Sequence, residues 1–301
     1  MTPAQQLAAD YRRYLLEERG CSGWTLENYG RHIDRFVAQR FGTGPLKRSR
    51  LQARDVVAFV KKNAQGHGRG HTLQVVTALR SFLRFLHYRG HIASDLAAAV
   101  PAVAHWRMAD LPKHLPAEAV QKVLDSCDPT TAVGRRNHAI LLLLARLGLR
   151  AGEIISLQLE DIDWENARLT IRSKKGRGWA RLPLPADVGK ALARYLEQGR
   201  PSCSCRNVFV RMVAPYERLS NSPVISVLTR NALKKAGVES ARKGAHLFRH
   251  SLATAMLRQG ASLDEIGQVL RHKDPDTTAI YAKVDLDALR RLAVAWPGGV
   301  Q

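Results

Sequence analysis

The run NHAILLLLARLGLR at residues 137–150 constrains this chain more than any other stretch. As a helix it is apolar around most of its circumference and has to be covered on every side. It falls well short of the roughly 18 apolar residues of a membrane span, so it belongs in the middle of a folded core. Gly148 supplies the helix stop, and Arg150 and Glu153 follow at once in GLRAGE. An arginine emerging where a buried helix ends is held by the core behind it, and Glu153, three residues on, is placed to orient it. Helices often end in arginine, so the pair gains meaning only from the rest of the chain.

The flanking patterns are mainly helical. Residues 3–19 carry Leu7, Tyr11, Tyr14 and Leu15 at helical spacing and stop at Gly20; residues 24–38 carry Leu26, Tyr29, Ile33, Phe36 and Val37. Residues 52–62 and 71–88 give two more helices, the second with Leu79, Phe82, Leu83 and Leu86, and the basic loop FGTGPLKRSR lies between the two pairs. These predict a four-helix N-terminal domain over 1–92. Residues 93–112 are alanine- and proline-bearing without clear period and read as a linker. A second domain over 113–301 contains helices at 116–127, 137–150, 151–159, 187–198, 224–236, 246–258, 263–270, 275–282 and 285–296. RLTIRS (168–173), the turn KKGRG and WARLPLP (179–185) predict a β-hairpin. Ser262 with Glu265 forms a capping-box signature, and Asp274-Pro275 reads as a helix start. The fold class is therefore mostly α (α+β), with a small antiparallel sheet.

Charge narrows the partners. Lys and Arg total 47 against 26 acids, a formal +21. The excess is not a tail: residues 1–110 hold 17 bases and 8 acids, the remainder 30 and 18. Both halves thus suit a polyanion, and a nucleic-acid backbone is the natural candidate. The four cysteines, Cys21, Cys127, Cys203 and Cys205, lack paired zinc spacing and are too few for a disulfide scaffold. With no apolar signal core at the start and no membrane span, the expected location is the cytoplasm, associated with the nucleoid.

Two further segments carry chemistry. In HLFRH, His246 and Arg249 are three apart on one helix face and His250 is four from His246, a good anion site near a helix start. A metal reading is weaker, since no HExxH and no carboxylate at ligand spacing accompanies the histidines. In LRHKDPDTTAIYAKV, His272 precedes Tyr281 by nine residues. A phenol is a poor nucleophile at neutral pH unless helped. Arginines, histidines and a lysine could give that help at a phosphodiester through charge stabilisation and positioning, without a metal.

Four blocks in order, GLRAGEI, SKKGRGWARLPLP, HLFRHSLATAML and LRHKDPDTTAIYAKV, make the chain resemble the tyrosine recombinase (phage-integrase) family, relatives of type IB topoisomerases. The resemblance covers roughly residues 113–290, and the N-terminal helices look like the family's SAM-like core-binding domain, an Xer-like two-domain arrangement. It implies a catalytic set of Arg150, Lys175, His246, Arg249, His272 and Tyr281, with Tyr281 the nucleophile of a 3′-phosphotyrosyl intermediate. Lys175 is preferred to Lys174 because it lies eight residues before the proline of RLPL, as the family's lysine usually does. The resemblance also implies double-stranded DNA as substrate, no cofactor, and a homotetramer on synapsed sites, with or without a second recombinase. The family commonly has glycine just before the second histidine. Arg271 stands there in this chain, as a shift in the His272 turn or as a phosphate contact. The stripe Leu286, Leu289, Leu292, Ala293 and Trp296 fits either packing in cis or docking on a neighbour. Rivals are a strand-passing enzyme of the type IB topoisomerase class and a non-catalytic DNA-binding protein with a decayed site.

The charge reading gives a direct expectation. Duplex affinity, measured by a binding titration, should fall by about 10³-fold or more between 50 and 200 mM salt if six or more phosphates are neutralised.

Overall fold

The computed structural model describes residues 2–42, 51–103, 113–172, 178–272 and 274–284. The chain divides into two compact units, Met1–Trp106 and Arg107–Gln301.

The first unit is built on α1 (Pro3–Glu17), α2 (Gly23–Phe41), α3 (Ala53–Ala64) and α4 (Arg69–Tyr88). Thr2 and Gln5 form a capping box at α1, and Ser22 caps α2. The residues spaced for a helical face in the sequence are the ones buried: Leu7, Tyr11 and Leu15 meet Ile33, Phe36, Leu79, Phe82 and Leu86. Edge-to-face ring pairs, Tyr11 with Phe82 at 5.1 Å and Phe36 with Phe59 at 5.0 Å, knit the helices together. The segment read as linker contributes to this unit. A 3₁₀ turn at Leu96–Ala99 packs Ala97 and Val100 into its core, and Arg80 donates to the Val100 carbonyl at 2.9 Å. Residues 104–112 lie outside the described residues.

The second unit runs α5 (Ala117–Asp125), α6 (Ala132–Leu147), α7 (Ala151–Ser156), β1 (Ile162–Asp163), β2 (Arg168–Arg172), β3 (Trp179–Pro183), α8 (Ala186–Gln198), α9 (Ser222–Lys235), α10 (Ala245–Arg258), α11 (Leu263–Leu270) and α12 (Asp276–Ala279). The hairpin β2–β3 pairs antiparallel with Leu169 opposite Leu182 and Ile171 opposite Ala180. A short β1 extends it to three strands through Ile162 and Leu169. Two residues cannot show a period, which is why the sequence pattern missed β1.

Helix α6 is the central element. Ala139, Ile140, Leu141, Leu143 and Leu144 are fully buried or nearly so, between α8 on one side and α10 on another. It begins at Ala132, five residues before the apolar run, because the Thr131 hydroxyl caps it by accepting the Gly134 N–H at 3.0 Å. It stops at Gly148, which is left-handed at φ 55°. Near the C-terminus, the helix read over 275–282 is cut to four residues. The Tyr281 N–H bonds to the Thr278 carbonyl at 3.0 Å, tightening the chain into a 3₁₀ segment at Ala282–Val284. The helix expected over 285–296 lies outside the described residues. Among those described, no helix is long and apolar enough to cross a membrane.

Gly148 is fixed twice over. A Cβ there would sit 2.8 Å from the Leu270 Cδ2 and 3.1 Å from the Leu252 Cδ2, in a backbone region that L side chains rarely adopt. Gly148→Ala is expected to cost about 2 kcal/mol of stability by denaturant titration.

Candidate active site

The site is assembled at helix ends. Arg249, on α10, is only 3% exposed. Its guanidinium donates to the carbonyls of Gly148, at the end of α6, and Leu270, the last residue of α11. Both carbonyls belong to helix C-termini with no intrahelical partner, so the arginine caps two helices at once. Burial, with Arg150 and Arg271 nearby, lowers its pKa to about 10, which still leaves it cationic at neutral pH.

Arg150 stands just past Gly148, at the start of α7. Its Nη1 donates to Glu153 Oε1 at 2.8 Å and its Nη2 to the Arg271 carbonyl at 3.1 Å. The second Glu153 oxygen accepts the Arg150 backbone N–H at 2.8 Å. Burial opposes ionisation of Glu153. The Arg150 N–H, the Arg271 charge and the Arg150 guanidinium prevail and hold its pKa below the usual carboxylate range. The orienting role read for Glu153 is present. The part played by the Arg271 backbone is new.

Three histidines surround the arginines. His246 sits in the first turn of α10, its pKa lowered by burial and by Arg249, Arg150 and Arg242. His272 follows α11, its Nδ1 2.7 Å from the Thr278 hydroxyl, its pKa lowered to about 4 by burial and then by Arg249 and Arg150. His250, one turn after His246, lies outside the six-residue set read from the resemblance. It touches the proposed nucleophile: its Nδ1 is 2.9 Å from the Tyr281 hydroxyl. Burial, then His246 and Arg242, lowers its pKa to about 4, so the ring is neutral at pH 7, and its tautomer sets which of the two groups donates. The signal for His250 was its helical spacing from His246, but nothing in the sequence assigned it to Tyr281.

Tyr281 itself is 1% exposed and packs on Ala253, Ile266 and Leu270. Burial pushes its pKa up to about 12, with the Arg249 charge pulling the other way. Its hydroxyl is bonded to His250 rather than to a guanidinium, within electrostatic reach of Arg249. Thus five of the six candidates, Arg150, His246, Arg249, His272 and Tyr281, lie at one junction of α6–α7, α10 and α11–α12. Lys175, with Lys174, lies outside the described residues. Among those described, no three His, Cys, Asp or Glu side chains are grouped to hold a metal ion. All four cysteines are free.

One buried and one part-exposed guanidinium, flanked by imidazoles and one tyrosine, form a cationic cluster suited to a phosphate. Known families agree with it. Residues 113–287 match the phage integrase family, and residues 8–90 match its N-terminal SAM-like domain. The chain belongs to the phage integrase family, the tyrosine recombinases. It is 47% identical over 297 residues to putative integrase/recombinase y4rA of Sinorhizobium fredii, spanning 99% of this chain and 72% of that protein. It is 30% identical over 285 residues to tyrosine recombinase XerD of Listeria monocytogenes, spanning 92% and 94%. Its fold is shared with XerH in a post-cleavage complex with difH (TM-score 0.75, 19% identity, 96% of this chain and 84% of that one). It is also shared with a lambda integrase tetramer bound to a Holliday junction (TM-score 0.69, 17% identity, 92% and 76%).

The depressed histidines set an acid limit. Groups held neutral in the fold bind more protons when unfolded, so stability is full above pH 6.5. It falls as pH drops from about 6.5 towards about 4, the window of His250 and His272. Thermal melts across that range should show the loss, and His250→Gln should flatten it.

Proposed function

We propose that the protein is a site-specific recombinase in which Tyr281 attacks a scissile phosphate of double-stranded DNA. The phenolic oxygen bonds to phosphorus as the bond to the 5′ oxygen breaks, leaving a 3′-phosphotyrosyl link and a 5′-hydroxyl. The link conserves the bond energy, so a 5′-hydroxyl from a partner strand reverses the step without ATP. Arg150 and Arg249 hold the equatorial oxygens and stabilise the charge of the transition state. His246 and His272 hydrogen-bond the same phosphate, and Lys175 protonates the leaving 5′ oxygen. The bond between Tyr281 and His250 has to be exchanged for the phosphate before attack.

The observation that carries this reading is the convergence of both arginines, His246, His272 and Tyr281 from three separate segments onto one cluster. The expected assembly is a homotetramer on two synapsed sites, or a tetramer shared with a second recombinase, acting on the nucleoid in the cytoplasm. Integration, transposition and dimer resolution all use this chemistry. The relatives named integrase and recombinase favour a task on mobile or chromosomal DNA.

The test is covalent capture on a nicked suicide duplex. Tyr281→Phe should bind DNA as wild type does and form no adduct. Arg150→Ala and Arg249→Ala should each slow capture by about 10²-fold or more. Full activity in both arginine variants would refute the site. Exchange between two labelled duplexes separates a recombinase from a strand-passing enzyme, which would relax supercoils alone.

A further inference from the structure

Where α11 ends, the chain turns through a left-handed residue, and that residue is Arg271, at φ 56° and ψ 48°. Its N–H donates to the Gln268 carbonyl at 3.0 Å, and the His272 N–H donates to the Gly267 carbonyl at 2.9 Å. This bond pair is a helix stop that selects glycine, because an L side chain is conformationally costly there. Some compensating interaction has to keep an arginine in the place where the family commonly has glycine.

The guanidinium supplies it. Arg271 Nη2 donates to Glu153 Oε2 at 3.1 Å and Nη1 to the Val269 carbonyl at 2.9 Å. The other Glu153 oxygen takes Arg150 Nη1 at 2.8 Å, and the Arg271 carbonyl takes Arg150 Nη2 at 3.1 Å. Both terminal nitrogens of Arg150 are therefore clasped by groups that Arg271 carries or holds. Exposure separates the roles: the Arg150 side chain is 40% exposed, against 13% for Arg271 and 14% for Glu153. Arg150 is the guanidinium open to a ligand, while Arg271 turns inward onto the carboxylate.

We propose that Arg271 is a positioning residue for DNA cleavage, fixing the fork of Arg150 by bridging to Glu153 from the opposite side. The proposal rests on the recombinase reading above. Between its two guanidiniums, Glu153 is confined to one rotamer. Without Arg271 it keeps a single side-chain partner, and Arg150 loses a wall of its clasp. A small displacement of a group that orients a reacting phosphate is costly in rate without being costly in binding. The turn allows a clean separation, since glycine at 271 keeps the left-handed stop and the backbone carbonyl and removes only the bridging side chain.

The experiment is a double-variant cycle on suicide-duplex capture at saturating DNA, with duplex affinity and melting temperature measured for each protein. Arg271→Gly should melt at or above the wild-type temperature, bind duplex equally well, and form adduct about 10-fold to 10²-fold more slowly. Arg271→Lys should recover only part of the rate, because an ammonium lacks the fork. In an Arg150→Ala background, Arg271→Gly should cause no further loss. A wild-type rate for Arg271→Gly would overturn the proposal. So would losses that multiply in the double variant, since Arg271 would then act on DNA independently, and so would slowing that merely tracks a lowered melting temperature. If wild type itself formed no adduct, the recombinase reading would fail instead. The clasp would then be judged by a stability cycle of Arg271→Gly with Glu153→Gln, where coupling supports it and simple additivity overturns it.

Discussion

The whole catalytic unit turns on one buried guanidinium. Taking an arginine out of water costs several kcal/mol unless its donors are met. Arg249 meets them with the end carbonyls of α6 and α11, each charge-assisted bond worth about 2 kcal/mol. The same two bonds bring together the segments carrying Arg150 and His272, because each follows directly on a capped helix. Gly148 makes the first of these approaches possible by turning left-handed under Leu270 and Leu252. Stability and site geometry are thus set by the same contacts.

The resulting pocket is electrostatically unfinished. Arg150, Arg249 and Arg271 face the single carboxylate of Glu153, and the surrounding histidines are held neutral by burial and by those positive charges. In the proposed reaction a bound phosphodiester supplies the missing negative charge, most of all as charge builds on its oxygens during attack. The nucleophile is kept in reserve. Tyr281 is both the proposed reacting group and the apolar anchor that pins its short segment to Leu270, Ile266 and Ala253. In the proposed mechanism, freeing it from His250 loosens the segment that carries it and couples chemistry to a local rearrangement.

Much of this was legible in the sequence for definite reasons. The helical faces of the N-terminal unit followed from residues such as Tyr11, Phe36 and Phe82, whose spacing allows one buried side. The stop at Gly148 and the capping box of Ser262 and Glu265 were read from side-chain chemistry alone. The start read at Asp274-Pro275 falls one residue later, with Pro275 at the cap of α12, while the Asp274 carboxylate accepts the Asp276 N–H at 3.1 Å. Most of what escaped depended on neighbours distant in sequence, the local cap at the start of α6 excepted. Helix α6 begins in the polar stretch before its apolar run because Thr131 caps it. The helix after Asp274 is short because Tyr281 turns into the core. His250 showed the right spacing, but its partner lies on another segment. Arg271 marked itself by replacing a glycine, yet its contact with Glu153 could come only from the folded chain.

The central claim is that this cationic pocket joins Tyr281, and no other residue, to DNA. Its most direct test is to trap the covalent complex, digest protein and DNA, and locate the nucleotide by mass spectrometry. The account predicts a 3′-phosphonucleotide on the peptide bearing Tyr281. A nucleotide on any other side chain, or one attached through a 5′-phosphate, would contradict it.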